Sequence, residues 1–236
     1  MSLVDRLTAL RQRITTAAQS AGRDPASVQL VAVSKTFPIE AVREAYAAGH
    51  RVFGENRVQE ALEKIEAFNP ADLRWHLIGH LQTNKAKKAA PGFAMIESVD
   101  SVELLQRLDR AAADVGATPE LLIQIDLAGE ATKFGARPEE ATAILDAAAQ
   151  CTAARVVGLM TVPPIAAQPE DARPWFRKLR ERRDQWLASG VPAPMLRELS
   201  MGMSGDFEVA IQEGATIVRV GTAIFGGRTY PSPPAP

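Results

Sequence analysis

An amine, a guanidinium and two loops of glycines and hydroxyls are the groups in this chain whose types and spacing could do chemistry. The amine is Lys35, at the C-terminal end of Leu30-Val31-Ala32-Val33-Ser34-Lys35-Thr36. This short run, rich in β-branched residues and followed by a helical pattern, reads as a buried parallel strand. Partial desolvation at the mouth of such a strand disfavours the ammonium form and frees the amine to attack a carbonyl, the requirement for a Schiff base. The alternative is a surface lysine that lays its stem on the apolar strand and keeps its charge in water. Arg219 sits in Ile217-Val218-Arg219-Val220, where an always-charged guanidinium needs a partner, either a ligand or a buried salt bridge.

The loops are Ser200-Met201-Gly202-Met203-Ser204-Gly205-Asp206 and Val220-Gly221-Thr222-Ala223-Ile224-Phe225-Gly226-Gly227, each following a predicted strand. Ser200, Ser204, Gly221 and Thr222 supply the hydroxyls and backbone N–H groups that bind phosphate at the end of a barrel. The competing explanation is local: Gly202 and Gly205 permit tight turns, and Ser204 or Asp206 caps the next helix. His76 and His80 flank a strand-to-loop transition and lack the helical spacing or cysteines of a metal site. His80 is expected to line a pocket from its loop, and His76 to be buried or to face the interior. Cys151 precedes the sixth strand, away from the predicted mouth, and reads as an inert thiol.

The elements that must position these groups alternate along the chain. An amphipathic helix with Val4, Leu7, Leu10 and Ile14 at helical spacing opens it. Strands are expected near 30–35, 51–53, 73–79, 93–99, 121–127, 156–162, 196–199 and 216–220. Helices follow at Pro38, through Ala61 to Ile65, near Thr83, through Val102 to Leu108, from Pro138, around Trp175 to Leu179 and over Phe207 to Glu213. Eight such units predict an α/β fold, a single (β/α)₈ TIM-type barrel with an N-terminal helix, over residues 1–230. Pro231-Ser232-Pro233-Pro234-Ala235-Pro236 reads as a disordered tail. In a barrel, Lys35, Asn56 after the second strand, and the last two loops meet at one rim.

Composition bounds the partners. With 27 Lys and Arg against 28 Asp and Glu, no global field recruits nucleic acid or an anionic membrane. Lys85, Lys87 and Lys88 read as a solvated helix face. The N-terminus lacks signal-peptide character, no apolar run spans a bilayer, and the single cysteine makes no internal disulfide, so a cytoplasmic protein is expected.

Val31-Ala32-Val33-Ser34-Lys35, Phe53-Gly54-Glu55-Asn56, Trp75-His76-Leu77-Ile78-Gly79-His80-Leu81-Gln82-Thr83-Asn84-Lys85, Ser200-Met201-Gly202-Met203-Ser204 and Val218-Arg219-Val220-Gly221-Thr222-Ala223-Ile224-Phe225-Gly226 together resemble the pyridoxal phosphate homeostasis protein family. The resemblance spans almost the whole chain. It implies a barrel like the N-terminal domain of alanine racemase, with pyridoxal 5′-phosphate (PLP) held as a Schiff base on Lys35. It further implies that Arg219 meets the pyridine nitrogen, that the serine and glycine-threonine loops hold phosphate, and that Asn56 is a pocket residue. The cofactor-binding set is then Lys35, Asn56, Ser200, Met201, Ser204, Arg219, Gly221 and Thr222, with no catalytic residue and no metal. An Arg beside the pyridine nitrogen keeps it unprotonated and makes the ring a weak electron sink. The sequence departs from the family at Asp126-Leu127, where Asn is expected, although Lys133 and Gly135 fit; the Pro-rich tail lies outside the pattern.

Two functions follow. One is a monomeric PLP carrier, without catalysis, that buffers the cofactor or delivers it to apo PLP-dependent enzymes and affects amino acid and keto acid balance indirectly. The other is a weak or specialised amino acid racemase with a base such as His80. Two-base racemisation needs a second acid/base, which racemases take from an additional domain. The sequence stops just after the eighth strand, so the carrier is expected. A cofactor-free Schiff-base aldolase is disfavoured, because a phosphate cradle is present and no carboxylate pair accompanies Lys35.

Overall fold

The computed structural model describes residues 1–129, 134–165 and 167–227; Lys133 and the Pro-rich tail lie outside them. Eight parallel strands close a barrel: β1 (Gln29–Val33), β2 (Val52–Glu55), β3 (Arg74–Leu77), β4 (Met95–Val99), β5 (Glu120–Gln124), β6 (Arg155–Met160), β7 (Glu198–Ser200) and β8 (Ile217–Val220). They pair in chain order, and β8 returns to β1 with Val31 opposite Arg219 and Ala32 opposite Val220.

The surrounding helices are α1 (Leu3–Ser20), α2 (Ile39–Ala47), α3 (Val58–Ala67), α4 (Ala86–Ala89), α5 (Val102–Val115), α6 (Pro138–Ala148), α7 (Arg173–Ala188), α8 (Phe207–Gln212) and α9 (Thr222–Phe225). Local chemistry explains their ends. Ser2 and Asp5 cap α1 reciprocally, Ser101 accepts from the Leu104 N–H to start α5, and Gly116 closes α5 at φ 66°. The opening helix buries Leu3, Leu7, Leu10 and Ile14, whereas Val4 faces solvent: the stripe is as expected, with Leu3 in the place assigned to Val4. After β3 the expected helix opens at Thr83, as a 3-10 turn over Thr83–Lys85 that runs into the four-residue α4.

The period of two along each strand separates two apolar layers. Val31, Val52, Met95, Leu122, Val157 and Ile217 cluster inside the barrel, while Ala32, Phe53, Leu77, Ile96, Ile123 and Val218 join the larger core under the helices. Gly54 shares the inward phase, and a Cβ there would lie 2.8 Å from Val31 Cγ1. Each fully buried Leu, Ile or Phe stabilises the fold by about 1.5–3 kcal/mol. Inward positions nearer the C-terminal ends of the strands carry polar groups instead: His76, Glu97, Ser200 and Arg219 are all buried. No described helix is long and apolar enough to cross a membrane.

Candidate functional site

Lys35 is half-buried at the turn that leaves β1. Two features pin that turn. Thr36 adopts φ 68°, a left-handed conformation that costs a β-branched residue energy. Its N–H donates to Glu60 Oε1 at 2.6 Å. From the outer face Lys64 Nζ donates to the Ser34 carbonyl at 2.9 Å, to Glu55 Oε1 at 2.7 Å and to Glu60 Oε1 at 3.0 Å, while Ser34 Oγ donates to Glu55 Oε1 at 2.7 Å. Burial pushes the Glu55 carboxyl above its ordinary value against the pull of Lys64 and Ser34. In Glu60 burial pushes upward too, but the Thr36 N–H and Lys64 outweigh it and hold the carboxyl low. A nearly dry Lys–Glu pair therefore anchors the backbone of the residue preceding Lys35. Sequence reasoning passes over this device; its traces are the Glu60–Lys64 spacing of four on α3 and Glu55, a carboxylate ending the strand-like run Val52-Phe53-Gly54-Glu55.

Asn56 follows β2 and is half-buried. Its backbone is in contact with the loop after β3, since a Cβ on Gly79 would lie 2.3 Å from the Asn56 carbonyl oxygen. Only glycine allows this approach. The Gly79 carbonyl in turn accepts from Ser98 Oγ at 2.7 Å, tying the β4 end to the same rim.

Arg219 has the partners its apolar surroundings demand. It is 4% exposed; Nη1 donates to Ser200 Oγ at 2.5 Å and Nη2 to the Thr161 carbonyl at 2.9 Å. Ser200 Oγ donates onward to Glu97 Oε2 at 2.5 Å, and His76 Nδ1 lies 2.8 Å from Glu97 Oε1. Arg219 Nη1 is 3.8 Å from Glu97 Oε2. Burial favours the neutral form of Glu97, but His76, the Arg219 charge and the Ser200 hydroxyl together hold its carboxyl below the ordinary value. Burial also lowers Arg219, with Glu97 and Asp206 opposing. The salt-bridge explanation for Arg219 is thus realised, through Glu97, a residue that sequence reasoning does not single out. Its signal is a carboxylate inside Met95-Ile96-Glu97-Ser98-Val99, an otherwise strand-like run.

The last two loops meet above this network. Thr222 Oγ1 donates to Ser204 Oγ at 3.1 Å. A Cβ on Gly221 would stand 3.1 Å from the Val33 carbonyl oxygen, so the β8 loop lies against the end of β1, two residues before Lys35. Asp206 stands at the N-cap of α8 without the side-chain cap bond allowed for it; its Oδ1 instead accepts from the Met203 N–H at 2.6 Å, and burial raises its carboxyl. Lys35, Asn56, Ser204, Gly221 and Thr222 therefore share one rim, with Arg219 and Ser200 in the interior beneath it. Two residues expected to hold the cofactor also make contacts within the protein. Ser200 spends its hydroxyl on Glu97 and Arg219. Met201 donates its N–H to the Ile217 carbonyl at 3.1 Å and buries its side chain completely in the outer core.

His80 lies on the rim after β3, its Nδ1 3.3 Å from Asp100 Oδ2 and its ring stacked on Phe134 at 3.8 Å. Asp126 Oδ1 accepts from the N–H groups of Ala128 and Gly129, a turn that Asn would make equally. Among the described residues no cluster of His, Cys, Asp and Glu could hold a metal ion. Cys151 is half-buried, and burial pushes its thiol up to about 11.

A closed parallel barrel with a lysine ending β1 and glycine–hydroxyl loops after β7 and β8 defines a class, and comparison gives it a name: the family model for the alanine racemase N-terminal domain matches residues 6–229. A pyridoxal phosphate homeostasis protein of Aquifex aeolicus is 45% identical over 230 residues, covering 98% of this chain and 100% of the relative. One from Pseudomonas aeruginosa is 44% identical, covering 98% of both chains. PipY of Synechococcus elongatus, in a structure with PLP bound, superposes with a TM-score of 0.84 at 43% identity, over 95% of this chain and 100% of that one. An alanine racemase of Clostridium difficile shares the fold alone, at 17% identity and TM-score 0.72, over 97% of this chain and 58% of its own. The chain belongs to the pyridoxal phosphate homeostasis protein family.

Proposed function

We propose that this protein binds PLP as a Schiff base on Lys35 and serves intracellular PLP homeostasis, buffering the cofactor or delivering it to apo PLP-dependent enzymes. The observation that carries the reading is the Gly221–Val33 approach, which sets the β8 loop beside the turn bearing Lys35. The donor set fits the cofactor's two ends. The hydroxyls of Ser204 and Thr222 with the Gly221 backbone suit a phosphate, and Arg219, already oriented by Ser200 and Thr161, suits the pyridine nitrogen. Asn56 would flank the ring. PLP bound there supplies an aldehyde that captures amines reversibly.

The protein's own groups favour holding over turnover. Arg219 stays cationic against Glu97, so it withholds a proton from the pyridine nitrogen and blunts carbanion chemistry. Lys64, through the Ser34 carbonyl, keeps the Lys35 turn in one place. Full-length similarity to proteins named for PLP homeostasis supports the carrier reading; the racemase reading has fold likeness behind it. A cytosolic monomer completes the proposal.

The test is direct. Purified protein should be yellow, and borohydride reduction followed by peptide mapping should place one pyridoxyl group on Lys35, with Lys35→Ala colourless. An adduct on another residue refutes the assignment. Solvent deuterium entering the α-carbon of added amino acids at enzyme-like rates would favour the racemase.

A further inference from the structure

Three loops at the mouth bring together a cluster that the proposed function leaves unused: His80 after β3, Asp100 after β4 and Phe134 before α6. His80 Nδ1 lies 3.3 Å from Asp100 Oδ2, and the His80 and Phe134 rings stack at 3.8 Å and 9°. Phe134 is itself held. Its carbonyl accepts from Gln124 Nε2 at 2.6 Å, and Gln124 shares the inward phase of β5 with Leu122. Ala136, two residues on, donates its N–H to the Gln124 carbonyl at 2.8 Å. The Phe134 backbone is thus tied to the interior end of β5, and the residue remains 55% exposed. On the other side His80 adjoins Gly79, whose Cα lies against the Asn56 backbone. The cluster occupies the β3–β5 arc of the rim, across the mouth from the β7 and β8 loops.

This arrangement has the parts of a proton-transfer station. Asp100 directs Nδ1, the stacked ring fixes the plane, and Nε2 is the nitrogen turned over to exchange a proton with a ligand. The His80 side chain, 29% exposed, meets both solvent and rim. Among the described residues its charged neighbour is Asp100 from the β4 loop; the β5 loop presents the uncharged Phe134 ring.

We propose that His80, oriented by Asp100 and by stacking on Phe134, is the proton-transfer residue for primary amines that displace Lys35 from the cofactor. This rests on the PLP reading and says how the cofactor leaves. An amine arrives as ammonium and must lose a proton before its nitrogen can bond to the cofactor's aldehyde carbon. Nε2 takes that proton. Nε2 gives that proton to the Lys35 nitrogen and then takes a second from the incoming nitrogen. The carbon–nitrogen double bond to Lys35 breaks as the new one forms, and the second proton follows onto the departing Lys35 amine. The incoming nitrogen thus loses two protons, Lys35 gains two, and charge and atoms balance without an oxidant or reductant. Asp100 is a positioning residue, acting through His80.

The experiment uses PLP-loaded protein in which borohydride mapping has first placed the adduct on Lys35. Release is followed by absorbance with two amines: glycine, which is an ammonium at neutral pH, and hydroxylamine, which is not. His80→Gln should slow release by glycine about 10²-fold and leave release by hydroxylamine unchanged. Added imidazole should restore the glycine rate in His80→Ala, and Asp100→Asn should lose a smaller factor. In protein free of PLP, titrated glycine should shift the His80 ring resonances and leave those of buried His50 in place. An unchanged glycine rate, equal slowing with both amines, or failure of imidazole rescue overturns the proposal. Absence of the Lys35 adduct overturns the PLP reading itself, before the His80 arms are reached.

Discussion

Removing the Glu97 carboxylate tests the interior network most sharply. In Glu97→Ala, the Arg219 guanidinium keeps its bonds to Ser200 Oγ and the Thr161 carbonyl but loses the anion 3.8 Å away, and His76 loses its 2.8 Å partner. Leaving one member of a buried pair uncompensated costs about 3–5 kcal/mol. For a chain of this size each kcal/mol lowers the melting temperature by roughly 2–4 °C, so the expected fall is about 6–20 °C by circular dichroism. Glu97→Leu combined with Arg219→Met should cost less than the sum of the single variants, because the stranded charge is gone. pH supplies a signed control. Burial raises the Glu97 carboxyl, but His76, Arg219 and Ser200 more than offset it and depress the native value. The stabilisation is therefore present at neutral pH and lost as pH falls through that depressed native value. A loss below about 1 kcal/mol in Glu97→Ala, or a double variant costing the full sum, would refute the reasoning.

Three further outcomes are expected. Gly79→Ala places a Cβ 2.3 Å from the Asn56 carbonyl, and the forced backbone shift should cost about 1–3 kcal/mol in denaturant unfolding and weaken PLP retention. Lys64→Met strands the fully buried Glu55 and frees the Ser34 carbonyl, so it should destabilise by about 3 kcal/mol and slow the recapture of PLP by Lys35, read as the rate of colour return. His50 is buried, with Nε2 2.7 Å from the Val52 carbonyl, and burial lowers its pKa from 6.5 to about 4. The unfolded chain takes up a proton that the native state refuses, so stability should fall by about 3 kcal/mol as pH drops from about 6.5 to 4. His50→Gln should flatten that slope; an unaltered slope assigns it to other groups.

Much of the architecture is legible in particular residues. Val31 and Val33 alternate with Leu30 and Ala32, Pro38 and Pro138 precede or open helices, and Gly116 ends one, so each strand–helix unit announces itself through steric and burial rules that act within a few residues. The brevity of α4 has a local cause, since Pro91-Gly92 follows Ala89 within two residues and stops the helix. Lys35 and Arg219 are conspicuous because a charge in an apolar run is costly unless something answers it.

The chain by itself therefore determined the strand–helix repeat and marked Lys35 and Arg219 as charges that needed partners. Tertiary closure alone decided which partner each received. Glu97 is 103 residues from Ser200, and Ser200 is 19 from Arg219. Only the ring of strands makes them neighbours, and it engages the Ser200 hydroxyl with Glu97 and Arg219 and seats the Met201 side chain in the outer core. Side-chain phase is a local property of the backbone; hydrogen-bond partnership across a barrel depends on shear and register, which no segment carries alone.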